Sequence, residues 1–214
     1  MKSKLDQFTN LDSIIFDLDG TLWDSAEEVV ISWNEVLKEY GEVEKHFTKE
    51  ILAGYMGMPT HEIFESFFHY LPPHKIKEIQ DACSKSEIDH LAQHGGKLYP
   101  GVEGVLSKLS KKYNLFIVSN CQHKYIETFL GYYGFDKYFT DYEYQERTQL
   151  SKGENIRLVI ERNNLKNPIY IGDTDGDSKA ARYAGIPFIY ASYGFGETKD
   201  YDYLIDKVEE LLEL

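Results

Sequence analysis

Ser13-Ile14-Ile15-Phe16-Asp17-Leu18-Asp19-Gly20-Thr21 sets a short apolar run directly against two carboxylates and a glycine. An unbroken apolar run of this length reads as a strand buried on both faces, as in a parallel sheet. The pattern recurs. Leu115-Phe116-Ile117-Val118-Ser119 and Ile169-Tyr170-Ile171-Gly172-Asp173 also pass from apolar to polar at their last residue. Pro187-Phe188-Ile189-Tyr190 reads as a fourth strand, and Tyr138 to Tyr142 as a weaker edge strand.

Amphipathic helices separate these runs. Val102, Val105, Leu106, Leu109 and Tyr113 mark one apolar face. Tyr125, Ile126, Phe129, Leu130 and Tyr133 mark a second, stopped by Gly134. A third helix opens at Ser151 with Ile156, Val159 and Ile160 inward. A fourth runs from Lys179 to Ala184 and stops at Gly185, with Pro187 beyond. Strands alternating with helices predict an α/β fold with a doubly wound, Rossmann-like parallel sheet.

From about Trp23 to His94 the alternation lapses and no strand is predicted. Ser25 and Glu28 have capping-box spacing, and Ala26, Val29, Val30, Trp33, Val36, Leu37 and Tyr40 follow with helical period. Ile63, Phe64, Phe67 and Leu71 suggest another helix. Beyond Pro72-Pro73, the residues Ile76, Ile79, Cys83, Ile88 and Leu91 suggest a third. The expected organisation is a core of residues 1–21 and 95–214 with a helical cap of residues 22–94 inserted over the ligand-binding edge of the sheet.

The chain has 214 residues, 42 % of them hydrophobic and 14 % aromatic, enough to bury a core. A formal net charge of -13 opposes nucleic-acid backbones and anionic membranes. It still admits a small anionic substrate if a metal ion supplies local positive charge. No segment approaches the about 18 apolar residues of a membrane span. Met1 to Asn10 lacks the apolar run of a signal peptide. Cys83 and Cys121 match no metal or redox spacing, so a cytoplasmic protein with two incidental thiols is expected.

The chemistry concentrates at strand ends, where ligands bind in open parallel sheets. Asp17 and Asp19 flank one point at the mouth of the first strand, where one can attack and the other move protons. Taken alone, the motif reads equally as a turn with two solvated acids. Gly172-Asp173-Thr174-Asp175-Gly176-Asp177 gathers carboxylates suited to a hard cation. It also suits an acidic helix start, and Asp173, ending a strand, is the better ligand of the group. Ser151-Lys152-Gly153-Glu154 is a second capping box. It places Lys152 at the positive end of a helix dipole, a position that suits either a solvated side chain or one facing an anion.

In order and spacing, Asp17-x-Asp19-Gly20-Thr21, Ser119-Asn120, Lys152 and Gly172-Asp173 with Asp177 resemble the haloacid dehalogenase superfamily. The resemblance covers nearly the whole chain and points to the branch with a helical cap after the first motif, phosphoglycolate phosphatase-like. It implies a magnesium-dependent phosphatase acting on a small-molecule phosphate monoester. Asp17 would be the nucleophile that becomes an aspartyl phosphate, and Asp19 the general acid and base. Mg2+ would be held by Asp17, Asp173 and the backbone carbonyl of Asp19, with Asp177 in support. Ser119, Asn120 and Lys152 would bind phosphate. Asp19 sets the chain apart from the dehalogenases and the phosphonate-cleaving branch, which lack a carboxylate there.

Gly54-Tyr55-Met56-Gly57-Met58-Pro59 is similar to the cap loop of phosphoglycolate phosphatases and equally to a helix connector. A sugar-phosphate mutase, β-phosphoglucomutase-like, is the alternative in the same superfamily, although Met58-Pro59-Thr60 replaces the serine-arginine pair such mutases carry. From a different class, a phospho-acceptor signalling module shares the acids, hydroxyl and lysine but is shorter and has no insert. Trp23, Gln122, His123 and Lys124 follow strand ends and are candidates to line the entrance. His46, His61, His69, His74, His90 and His94 show no metal spacing. The substrate's leaving group and the oligomeric state have no signature in the sequence.

Overall fold

A computed structural model of the chain describes Phe8 and residues 10–214. Nearly all of the polar stretch Met1 to Asn10 lies outside the described residues. In chain order the elements are β1 Ser13–Phe16, β2 Trp23–Asp24, α1 Ala26–Leu37, α2 Lys49–Ala53, α3 Thr60–Phe67, α4 Pro73–His94, β3 Lys97–Leu98 and α5 Val102–Leu109. There follow β4 Asn114–Ser119, α6 Tyr125–Tyr133, β5 Phe139–Tyr144, α7 Gln145–Thr148, α8 Lys152–Asn163, β6 Pro168–Gly172, α9 Asp175–Ala184, β7 Phe188–Ala191 and β8 Tyr203–Ile205.

The main sheet has the order β5-β4-β1-β6-β7-β8, and every pairing in it is parallel. The chain runs outward from β1 through β4 to β5. It then re-enters on the other side of β1 with β6. β1 is therefore central, and the reversal of winding beside it opens the crevice where doubly wound sheets bind ligands.

Alternate residues of the apolar strands face opposite layers. Ile14, Phe16, Leu115, Ile117, Ile169 and Ile171 pack with α5 and α6 in one layer. Ile15, Phe116, Val118 and Tyr170 pack with Ile156 and Val159 of α8 and Ala180 and Ala181 of α9 in the other. The first layer continues without a break through Leu18, Leu22 and Trp23 into the helices α1–α4. There Trp33, Phe47, Phe64 and Phe68 form a buried aromatic cluster. β2 and β3 pair antiparallel where the chain enters and leaves these helices.

Several sequence expectations need adjustment. The edge strand lies at Phe139–Tyr144, with Tyr138 in a preceding 3-10 turn, not at Tyr138 to Tyr142. β2 falls inside the stretch expected to lack strands, and β8 was not expected. Runs of two and three residues are too short to carry a periodic signal. Ser25 does not form a capping box with Glu28 and makes no side-chain cap bond. Its hydroxyl donates instead to Asp19. On α4, Glu87 is buried while Ile88 is only half-buried, so the inward stripe runs Ile76, Ile79, Cys83, Glu87 and Leu91. Among the described residues no helix is long and apolar enough to cross a membrane.

Phe64 is fully buried, with its ring centroid 4.7 Å from that of Trp33. Phe64→Ala should destabilise the protein by about 3 to 5 kcal/mol through lost burial and a residual cavity. Urea denaturation checks this, and a loss below about 1 kcal/mol would show that the aromatic cluster does not hold the helices together.

Candidate active site

Three polar residues meet at the carboxyl ends of the central strands. Asp17 follows β1, Ser119 ends β4 and Asp173 follows β6. The parallel register aligns Phe16 with Ile117 and Ile171, and the Asp17 N–H donates to the Ile171 carbonyl at 2.8 Å. Asp17, Ser119 and Asp173 are all buried. Gly20 makes the close approach of the loops possible. Its φ is +80°, and a Cβ there would lie 2.1 Å from Asp173 Oδ2.

Lys152 is buried, not solvated. Ser151 and Glu154 close the capping box that begins α8, which fixes the direction in which Lys152 leaves the helix. Its Nζ donates to Asp177 Oδ1 at 2.6 Å and to Asp17 Oδ1 at 3.1 Å. Burial favours the neutral amine, but the Asp17 and Asp177 charges outweigh it and hold Lys152 protonated above its usual range. Asp177 is engaged on its other side too. Its Oδ2 accepts from the Asp173 N–H, the Thr174 N–H and the Thr174 hydroxyl, so it caps α9 while positioning the lysine. Asp175 lies one turn before Lys179 on the surface and pairs with it.

Asp19 is gripped at one oxygen. Its Oδ1 accepts from Trp23 Nε1 at 2.9 Å, Ser25 Oγ at 2.7 Å and Tyr125 OH at 2.7 Å. Burial raises the Asp19 carboxyl above its ordinary range, while the hydrogen bonds from Ser25, Tyr125 and Trp23 pull the other way. Asp17 is raised further, by burial and then by the charge of Asp177, with Lys152 opposing.

A cavity of about 50 Å³ lies over Asp17 and Asp19 and under α1–α4. Val29, Trp33, Leu52, Met56, Met58 and Ile63 form its apolar wall. Two polar contacts join the helical insert to the core across it. Asn120 Nδ2 donates to the Gly57 carbonyl at 2.8 Å, and the Thr60 hydroxyl donates to Gln122 Oε1 at 2.9 Å. Glu87 enters the same cavity from α4, buried and accepting from Trp33 Nε1 at 2.6 Å. Burial pushes its carboxyl up to about 8, with Gln122 and Trp33 opposing and Asp19 adding to the rise.

The structure thus gathers Asp17, Asp19, Ser119, Lys152, Asp173 and Asp177 around one point, with the Asn120 side chain turned to Gly57. Of the entrance candidates, Gln122 lines the cavity and Trp23 holds Asp19. His123 instead bonds the Tyr144 hydroxyl, and Lys124 is the left-handed N-cap of α6. Glu87, Ser25 and Tyr125 join the site without an expectation from the sequence. Glu87 carries one signal in the sequence, a carboxylate four residues after Cys83 and four before Leu91 on the apolar stripe of α4.

The donor set suits a hard divalent cation. Asp17, Asp173 and Asp177 each bring a carboxylate oxygen to within 4.8 Å of the others. Asp173 Oδ1 is buried with no hydrogen-bond partner among the described residues. Burial, then the charge of Asp177, push the Asp173 carboxyl up to about 7. An orphaned, destabilised carboxylate among oxygen donors fits magnesium. Asp177 is engaged at both oxygens, by Lys152 and by Thr174, whereas Lys152 bonds Asp17 at Oδ1 alone and Asp173 keeps Oδ1 unpartnered among the described residues.

Residues 14–191 match the family described as haloacid dehalogenase-like hydrolase. The chain is 26 % identical to a phosphoglycolate phosphatase of Vibrio parahaemolyticus, over 94 % of each chain. It is 28 % identical to a phosphoglycolate phosphatase of Rhodobacter capsulatus, over 87 % of this chain and 86 % of the other. A haloacid dehalogenase-like family hydrolase from Streptococcus pneumoniae superposes with a TM-score of 0.79 at 27 % identity, over 95 % of this chain and 98 % of that one.

The raised acids set a stability profile for the metal-free protein. Asp173 shifts from 3.8 to about 7 and Glu87 from 4.5 to about 8. An acid whose folded value is raised binds more protons folded than unfolded, so its contribution is present at low pH and lost as pH rises through the folded value. With chelator present, the melting temperature should fall between pH 5 and pH 8, and magnesium should restore more of it at pH 8. Thermal melts check this; a chelated protein more stable at pH 8 than at pH 5 would contradict it.

Proposed function

The chain belongs to the haloacid dehalogenase-like hydrolases, and on that premise we propose that it is a magnesium-dependent phosphatase of small-molecule phosphate monoesters. The observation that carries this reading is the buried contact of Lys152 with Asp17 at the centre of the carboxylate cluster. A protonated amine beside a buried carboxylate at a strand end suits an attack on phosphorus, because it offsets the repulsion between carboxylate and phosphate.

In the proposed reaction an Asp17 oxygen bonds to phosphorus as the ester P–O bond breaks. Lys152, the Ser119 hydroxyl and the backbone at Asn120 hold the phosphate oxygens. Asp19, protonated, gives its proton to the leaving alkoxide. As a carboxylate it then takes a proton from water, whose oxygen attacks phosphorus. The Asp17–phosphorus bond breaks and inorganic phosphate leaves. Asp17, Asp173 and the Asp19 backbone carbonyl would hold magnesium, which supplies positive charge against the developing negative charge of the phosphoryl group. Asp177 keeps Lys152 in place. Residues 22–94 act as the cap domain over the core. The names of the curated relatives support phosphatase over mutase turnover.

Asp17→Asn keeps the size of the side chain and removes the nucleophile. Magnesium-dependent phosphate release across a panel of phosphate esters should fall at least about a thousandfold while the melting transition is retained. A fully active variant, or a wild-type protein that isomerises glucose 1-phosphate without releasing phosphate, would defeat the reading.

A further inference from the structure

The core of this site accounts for the phosphoryl group, and the cavity above it accounts for what leaves. None of the described residues lining that cavity is Lys, Arg or His. Lys152, outside that lining, faces Asp17 and Asp177. Opposite the phosphoryl site the polar groups are few and specific. Glu87 presents a buried carboxyl whose Oε2 takes the Trp33 N–H. Gln122 is buried, and its Oε1 accepts from Thr60. Its Nε2 has no partner within hydrogen-bond distance among the described residues, although it lies near enough to Glu87 to favour that carboxylate. An acceptor and an orphaned donor therefore sit together against an apolar wall.

A leaving group has to satisfy both. A carboxylate would meet the Gln122 donor, but no Lys, Arg or His among the residues lining the cavity offsets its charge, which is costly in a buried site. An ammonium group would satisfy Glu87 and leave the Gln122 nitrogen unpaired. A hydroxyl donates and accepts, and so satisfies both.

We propose that this cavity takes the leaving group of a small neutral polyol monophosphate, with Glu87 accepting from and Gln122 Nε2 donating to its hydroxyls. The inference rests on the phosphatase reading above and adds the class of alcohol that is released. It makes Glu87 a specificity residue supplied by the cap.

The test measures kcat/KM of the full chain with magnesium on glycerol 1-phosphate, ethanolamine phosphate and phosphoglycolate, with p-nitrophenyl phosphate as a general reporter. The polyol ester should exceed each of the other two by about tenfold or more, as expected where buried polar groups select a hydroxyl. Glu87→Gln should reduce that preference about tenfold. If that variant does not fold, Gln122→Met should reduce it likewise. A preference for phosphoglycolate or ethanolamine phosphate overturns the inference. So does an unchanged preference in Glu87→Gln, which would limit Glu87 to holding Trp33, or turnover of p-nitrophenyl phosphate without the polyol ester. If p-nitrophenyl phosphate and all three esters are inert, the phosphatase reading itself fails and takes this inference with it.

Discussion

The ammonium group of Lys152 lies between Asp17 and Asp177 in a buried site, and the rest of the active centre is arranged around that contact. The parallel sheet delivers carboxylates to one edge because β1 and β6 are neighbours whose next residues are acids. Left alone, such a cluster is unstable, as the raised Asp17 and Asp173 carboxyls record. One lysine offsets part of this charge. Its position at the start of α8 is unfavourable with respect to the helix dipole, and the two carboxylates facing it outweigh that cost. With three acids against one amine the site still lacks positive charge; a divalent ion would supply it and let the centre accept an anionic phosphoryl group.

In the proposed reaction, chemistry and selectivity come from different parts of the chain. Asp17, Ser119, Lys152 and Asp173 hang on sheet ends and helix starts of the core, where all four are buried. The leaving-group side comes from α1–α4 and their loops, joined to the core at the site by the Asn120–Gly57 and Thr60–Gln122 hydrogen bonds. Asp19 stands at the junction. Trp23 and Ser25, which grip it, belong to the chain entering the helical insert, while Tyr125 belongs to α6 of the core. The carboxylate proposed to transfer protons is therefore sensitive to how the insert sits on the core.

The strands that matter most were the most legible. β1, β4 and β6 are continuous apolar runs, and the polar residue ending each run marks the mouth of the sheet. Gly134 and Gly185 stop their helices in left-handed conformations, as expected. What escaped the sequence was long-range. Ser25 has capping-box spacing, but its hydroxyl is engaged by Asp19. Lys152 is visible as a cation at a helix start, but its partner is 135 residues away. Glu87 was masked by its neighbour Ile88, because an apolar residue one position off the stripe satisfies the helical period almost as well. A carboxylate on an apolar stripe is read as surface until the fold reveals what lies opposite.

The proposed reaction requires covalent chemistry at Asp17. Protein mixed with a turned-over phosphate ester and magnesium, quenched in acid during steady-state turnover and digested, should yield a peptide containing Asp17 that carries one phosphoryl group removable by hydroxylamine. A phosphoryl group on another residue, or steady turnover with the Asp17 peptide unmodified throughout, would contradict it.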